Sequence, residues 1–262
     1  MNFLILIYKY ILSRPFFYKL NRKLIEISLN NIGILNYEDD YFNGEELFIK
    51  KIAKDLKVVF DVGCNVGNFT QKLFKINNNL KVYAFEPHPF NFKKAKNNLN
   101  YYTNQVSLIN KGVGQCSSKL ILHDYENKDA SSHASFHKEV FDKIHLSKKT
   151  KSFEIEVISL DEFCAKYKIE NIDFLKIDTE GFEMDVLIGA KNLLAQKKIK
   201  IIQFEFNSMQ IFSQTTLTDF LIFLNDYNNF RIMPGGRLLE LNKNELTTRE
   251  LFTYQNIVAI LK

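Results

Sequence analysis

The chain predicts an α/β fold, a doubly wound and mostly parallel sheet with a C-terminal antiparallel hairpin. Short apolar and β-branched runs alternate with helical patterns along most of its length. Two of those runs end in an acid at a turn: Val58-Val59-Phe60-Asp61 leads into Gly63-Cys64-Asn65-Val66-Gly67, and Val82-Tyr83-Ala84-Phe85 leads into Glu86-Pro87. Finally, Phe230 to Met233 and Asn256 to Leu261 read as a closing hairpin around Pro234-Gly235-Gly236.

Residues 1–43 form a basic, apolar N-terminal helical segment, and 44–262 a single larger domain. Gly44 to Lys54 is an amphipathic helix with Leu47, Ile49 and Ile52 on its apolar face. Strand 57–62 precedes a helix to about residue 76, broken by Asn77-Asn78-Asn79, and strand 80–85 follows. A helix from Pro89 to about Asn100 carries Phe92, Ala95, Lys96 and Leu99 at helical spacing. Strand 105–109 comes next, with Lys119 to His123 as a short extra strand. Glu154 to Ile158 alternates like an edge strand, and Leu160 to Tyr167 is a short helix. Ile172 to Asp178 and Lys200 to Glu205 are later core strands, separated by a helix through Ala190 and Leu194, and Leu217 to Leu224 is the last helix.

The first turn selects the ligand. In open parallel sheets, ligands lie outside the carboxyl ends of the strands, where a turn presents backbone N–H groups. A dinucleotide needs G-x-G-x-x-G, but counting from Gly63 the second and third places hold Asn65 and Asn68. Asp61, Gly63, Asn65 and Gly67 instead resemble the acid-x-G-x-G-x-G turn of class I S-adenosylmethionine-dependent methyltransferases, with one substitution. Asn tolerates a left-handed backbone better than other side chains, so the turn survives it. Glu86, at the next strand end, stands where a carboxylate accepts hydrogen bonds from both ribose hydroxyls. Asp61, Gly63, Cys64, Asn65, Gly67, Glu86 and Pro87 are therefore the candidate cofactor residues.

Asp61-Val62-Gly63-Cys64-Asn65-Val66-Gly67 also resembles the D-V-G-A-N-x-G of the FkbM methyltransferase family, with Cys64 in place of the more usual alanine. Phe85-Glu86-Pro87 is similar to that family's F-E-P segment. Leu175-Lys176-Ile177-Asp178-Thr179-Glu180-Gly181-Phe182-Glu183 is similar to its K-I-D-x-E-G-x-E block. The likeness runs from about Gly44 to Asn207 and leaves the first 31 residues outside. It implies a class I, Rossmann-like methyltransferase fold, S-adenosyl-L-methionine as cofactor, and methylation of hydroxyls on sugars, glycans or secondary metabolites.

Methyl transfer to a hydroxyl needs the nucleophile about 3 Å from the methyl carbon and a group to take its proton. Asp178 and Glu205 end two core strands, and Glu180 sits in the turn after Asp178. One of the three acts as general base, or two hold a Mg²⁺ ion that acidifies the hydroxyl; the pattern leaves both open. A plainer reading is that Asp178 and Glu180 cap the following helix. Asp124 to Lys151 is long, polar and aperiodic, as expected of an acceptor loop. Its His133 and His137, lacking a third ligand, read as solvated histidines, and His88, between two prolines, as structural or adjacent to adenosine. Lys138, Lys143, Lys148, Lys149 and Lys151 either form a solvated loop or attract a phosphorylated acceptor.

At 262 residues with an apolar share of 46%, the chain suffices for one sizeable core. Its 3 cysteines, Cys64, Cys116 and Cys164, form no C-x-x-C, which fits reduced thiols in the cytoplasm and no zinc site. The net charge of +5 is uneven: Lys9, Arg14, Lys19, Arg22 and Lys23 face only Glu26 in the first 31 residues. That segment is too interrupted for a membrane span and lacks the layout of a signal peptide. It either lies on an anionic membrane surface or packs as a helical cover on the sheet or on a second subunit in a homo-oligomer. No nucleic-acid motif accompanies its charge. The expectation is a cytoplasmic, glycan-building O-methyltransferase. N- or carboxyl-directed methylation of a small molecule, peptide or lipid, and a non-catalytic scaffold, stand as alternatives.

Overall fold

Along the parallel strands, neighbouring side chains feed two separate cores, because successive residues of a strand point to opposite faces. The computed structural model describes residues 3–35, 42–125, 134–136, 150–241 and 246–262. Helices α1 (Phe3–Leu12), α2 (Tyr18–Asn31) and α3 (Glu45–Ile52) precede β1 (Val58–Val62). There follow α4 (Asn68–Ile76), β2 (Lys81–Phe85), α5 (Pro89–Asn98), β3 (Val106–Ile109), β4 (Gly112–Val113), β5 (Ser118–Tyr125) and β6 (Thr150–Ile158). Next come α6 (Leu160–Tyr167), β7 (Ile172–Ile177), α7 (Glu183–Ile188), α8 (Lys191–Ala195), β8 (Ile199–Phe206), α9 (Gln210–Ser213) and α10 (Leu217–Phe223). The chain closes with β9 (Tyr227–Met233), β10 (Arg237–Glu240), α11 (Leu246–Arg249) and β11 (Gln255–Leu261).

The main sheet has 8 strands in the order β10-β9-β11-β8-β7-β1-β2-β3. Pairing is parallel from β3 through β8 and antiparallel from β8 through β11 and β9 to β10. On one face Val59 and Phe174 pack with Phe48 and Ile49 of α3, Leu73 and Phe74 of α4, and Ala95 of α5. On the other, Phe60, Val62, Leu175 and Ile177 pack with Leu160 and Phe163 of α6, Val186 and Leu187 of α7, and Phe220 of α10. Helices on both faces of a mostly parallel sheet make this a doubly wound α/β fold, as expected, with antiparallel strands at its C-terminal edge.

Three expectations need correction. Phe230 to Met233 does pair antiparallel with Asn256 to Leu261, but not as one hairpin: the turn at Pro234-Gly235-Gly236 joins β9 to β10, and β11 lies between β8 and β9. Glu154 to Ile158 is no edge: β6 is the middle strand of a second sheet, order β4-β6-β5, and its alternation reflects one covered and one open face. The helix through Ala190 and Leu194 is two short helices, broken where Gly189 passes so close to the Gly114 carbonyl that a side chain would overlap it.

Candidate active site

The carboxyl ends of four strands, β1, β2, β7 and β8, converge on one cleft with a cavity volume of about 170 Å³. Gly63, Asn65, Glu86 and Pro87 line one part of it, and Asp178, Thr179, Glu180 and Glu205 another. Val113 and Leu122, from the small sheet, together with Ala134 and Phe136, wall a further side. The His133–His137 pair, the lysines 138 to 149 and most of the expected acceptor loop lie outside the described residues; residues 134–136 do not. Ser135 exchanges backbone hydrogen bonds with His123, and its hydroxyl donates to the Glu180 carbonyl at 2.9 Å. Phe136 sits 4.9 Å from the Phe182 ring, so this segment is docked on the turn after β7.

The first turn is built as its sequence requires. Asn65 takes the left-handed conformation with φ 50°, standing in for a glycine. Gly63, with φ 83°, approaches the Asp178 backbone so closely that a Cβ would overlap the Asp178 carbonyl oxygen. The Asp178 N–H in turn donates to the Val62 carbonyl at 2.9 Å, tying the ends of β1 and β7 together.

Glu86 is buried. Its Oε2 accepts the Asn65 N–H and its Oε1 the His88 N–H, each at 2.8 Å. Burial pushes its pKa up to about 8, against the pull of those two N–H groups. Each carboxylate oxygen has further lone pairs, so the group can still accept both hydroxyls of a vicinal diol. This donor set fits an adenosine ribose, and with it S-adenosylmethionine. His88 is also buried, its Nε2 3.1 Å from Asp124 Oδ2 and its ring packed on Phe153 at 4.8 Å. Burial lowers its pKa while Asp124 opposes the shift; it supports the Glu86 loop, in line with the structural role expected of it.

Other expected cofactor residues face elsewhere. Asp61 is fully buried behind the turn, with Oδ2 accepting the Thr70 hydroxyl at 2.7 Å, while Cys64 packs with Leu73 and Leu99. Gly67 turns toward Leu99. None of these three lines the cleft. Burial raises the Cys64 thiol well above its ordinary pKa.

At the other end, Ile177 pairs with Phe204 across β7 and β8, so Asp178 and Glu205, the next residue in each chain segment, leave the sheet side by side. The same register places Asp61, Lys176 and Gln203 in one row across β1, β7 and β8. The buried Lys176 ammonium donates to Asp178 Oδ2 at 2.8 Å and lies 5.3 Å from the Phe69 ring centre. Burial alone would lower its pKa, yet Asp178, Glu45, Glu205 and Asp61 hold it well above the ordinary lysine value. Burial raises the Glu205 carboxyl well above its usual range, and the Asp178 charge adds to the shift. Gln203 donates to Glu45 and to Asn256, which in turn donates to the Tyr254 hydroxyl at 3.0 Å.

Glu180 occupies the left-handed region with φ 53°, a conformation costly for a non-glycine residue. The buried Glu183 holds it there: its carboxylate accepts the N–H groups of Thr179 and Gly181, the Thr179 hydroxyl and the Gln210 amide. The acid that caps this turn is thus Glu183, while Asp178 and Glu180 face the cleft. Lys176, Glu45, Gln203 and Tyr254 were not singled out from the sequence. The available signal was a lysine two residues before Asp178 and a glutamine two before Glu205, each sharing a strand face with its acid. Among the described residues, no three His, Cys, Asp or Glu side chains converge as a metal site.

The sequence matches the family described as the methyltransferase FkbM domain over residues 61–232. It is 22% identical over 195 residues to the 2-O-methyltransferase NoeI of Sinorhizobium fredii, covering 72% of this chain and 79% of that protein. The hexuronic acid methyltransferase AglP of Haloferax volcanii is 24% identical over 163 residues, 61% of this chain and 62% of its own length. A crystal structure of a methyltransferase FkbM from Methylobacillus flagellatus aligns with 92% of this chain and 60% of that one, at a TM-score of 0.46 and 14% identity.

Proposed function

This chain belongs to the FkbM methyltransferase family, and from that premise we propose that it moves a methyl group from S-adenosylmethionine to a hydroxyl of a sugar or glycan. The observation that carries the reading is the single cleft joining the diol acceptor Glu86 to the carboxyl groups of Asp178, Glu180 and Glu205. S-adenosylmethionine supplies, when bound, a methyl group made electrophilic by a cationic sulfonium. The names of the two relatives, a 2-O-methyltransferase and a hexuronic acid methyltransferase, support a carbohydrate acceptor.

Asp178 is the general base in this reading. The Lys176 ammonium donates to its Oδ2 at 2.8 Å and holds the carboxyl group in place to accept the hydroxyl proton, while burial and the neighbouring Asp178 raise the Glu205 carboxyl and favour its protonated form. The left-handed Glu180 projects over the same space and binds acceptor hydroxyls. Replacing Asp178 by Asn is expected to cut turnover by about 10²–10⁴-fold, the usual worth of a general base. Cofactor affinity should stay nearly intact, since Asp178 is no partner in the hydrogen bonds that set the Glu86 diol acceptor. The test is transfer of labelled methyl to a panel of neutral and uronic sugars, run with and without EDTA. Turnover retained by the Asn variant would remove Asp178 from this role, and turnover lost only in EDTA would reinstate the Mg²⁺ reading.

A further inference from the structure

The two N-terminal helices are an unpartnered apolar surface, and their charge says what covers it. No described residue of 3–31 is buried, and neither main core contains one. The first helix is apolar apart from Lys9, with Phe3 at 73%, Ile5 at 47%, Leu6 at 46%, Tyr10 at 80% and Ile11 at 48% exposed. Phe16, in the short turn between the helices, and Leu24, Ile25 and Ile27 of the second continue the surface. The hairpin nevertheless has a defined shape. Asn21 ties the helices together, accepting from the Tyr8 hydroxyl at 2.8 Å and donating to the Leu12 carbonyl at 2.8 Å. Among the described residues, none of 3–31 enters either main core, which argues against the helical cover on the sheet that the sequence left open.

Lys9, Arg14, Lys19, Arg22 and Lys23 flank the apolar residues, and Glu26 is the only acid among them. Arg22 and Lys23 lie 3.3 and 3.5 Å from Glu26, which leaves a strong net positive charge. A second copy docking here would bring like charge against like charge. An anionic bilayer offers both complements, hydrocarbon for the apolar side chains and phosphate for the cations. Ten residues of helix extend only about 15 Å, half of the roughly 30 Å hydrocarbon core, so the first helix lies in the interface and does not cross it. No described helix is long and apolar enough to span a membrane. We propose that the α1–α2 hairpin is a peripheral anchor that seats the protein on an anionic membrane surface.

The test uses the full chain, sedimented with phosphatidylglycerol vesicles or with phosphatidylcholine vesicles at low and high salt. Sedimentation with phosphatidylglycerol, weakened by salt and weak with phosphatidylcholine, is the expected result. Each basic residue near an anionic leaflet is worth roughly fivefold in affinity, so the triple variant K19E/R22E/K23E should lose at least tenfold. Ile7→Ser with Ile11→Ser, both on exposed positions, should weaken binding to phosphatidylglycerol without lowering the melting temperature. The proposal is overturned if the wild type stays in the supernatant, or if charge reversal changes nothing. It is equally overturned if the wild type is a dimer in vesicle-free buffer that the serine variants dissociate, which would assign the face to a second copy.

Discussion

Glu86 gives the site a pH signature. Its carboxyl titrates near 4.5 in an open chain and is pushed up to about 8 by burial in the fold. Raised in this way, it contributes stability to the ligand-free protein that is fully present below about pH 4.5 and is lost as pH rises through about 8. A ribose diol donates to the ionised form, so cofactor binding below pH 8 must expel a proton. Affinity for S-adenosylmethionine is then expected to rise by up to about tenfold per pH unit toward 8 and to level off above it. Calorimetry across that range checks this, and a flat profile would mean that Glu86 does not meet the ribose. Glu86→Ala should weaken binding by about 1–3 kcal/mol. The sequence displayed Glu86, Asp178 and Glu205 because each is an acid at the end of an apolar run. Lys176 was visible as the lysine of the K-I-D-x-E-G-x-E block, but not its role, because a lysine in a strand acquires one only when the register lines it up with Asp61 and Gln203.

At the scale of elements, the joint between β1 and β7 is the most constrained part of the site. Gly63 presses against the Asp178 carbonyl, so the turn that cradles the cofactor and the strand end that carries the base share one backbone contact. Gly63→Ala must force them apart and also strain a φ of 83°. A destabilisation of about 1–3 kcal/mol is expected by urea unfolding, together with lost cofactor affinity. Unchanged stability would show that the two ends move independently. The parallel strands were legible because each is a short buried run that stops at a polar turn. The antiparallel partnership of 230–233 with 256–261 was legible as well; what was not is β10, Arg237–Glu240, which takes the turn partnership with β9 while β11 reaches β9 from its other side. The strand inserted in the middle, β11, shows this in the burial of Gln255 through Ala259, which only the assembled sheet reveals.

For the whole molecule, the two cores are complete without the first 31 residues. Both faces of the sheet are covered by helices from α3 onward, and among the described residues the α1–α2 hairpin meets the body at its root. There Ile34 forms a bridge with Gln255, and the Leu35 N–H donates to the Tyr254 carbonyl at 2.9 Å. This root stands beside the polar network of Tyr254, Asn256 and Gln203 behind the cleft. Charge and apolar composition marked the segment as distinct, but whether its helices would fold back on the sheet depends on three-dimensional shape, which composition does not carry. Since burial is what stabilises a fold and no described residue of 3–31 is buried, deleting residues 1–31 is expected to leave the unfolding free energy within about 0.5 kcal/mol of the full chain. Denaturant unfolding of the two proteins in vesicle-free buffer makes the comparison. A loss of several kcal/mol would mean that the hairpin covers apolar surface of the body in solution, and would take from the membrane the surface it needs.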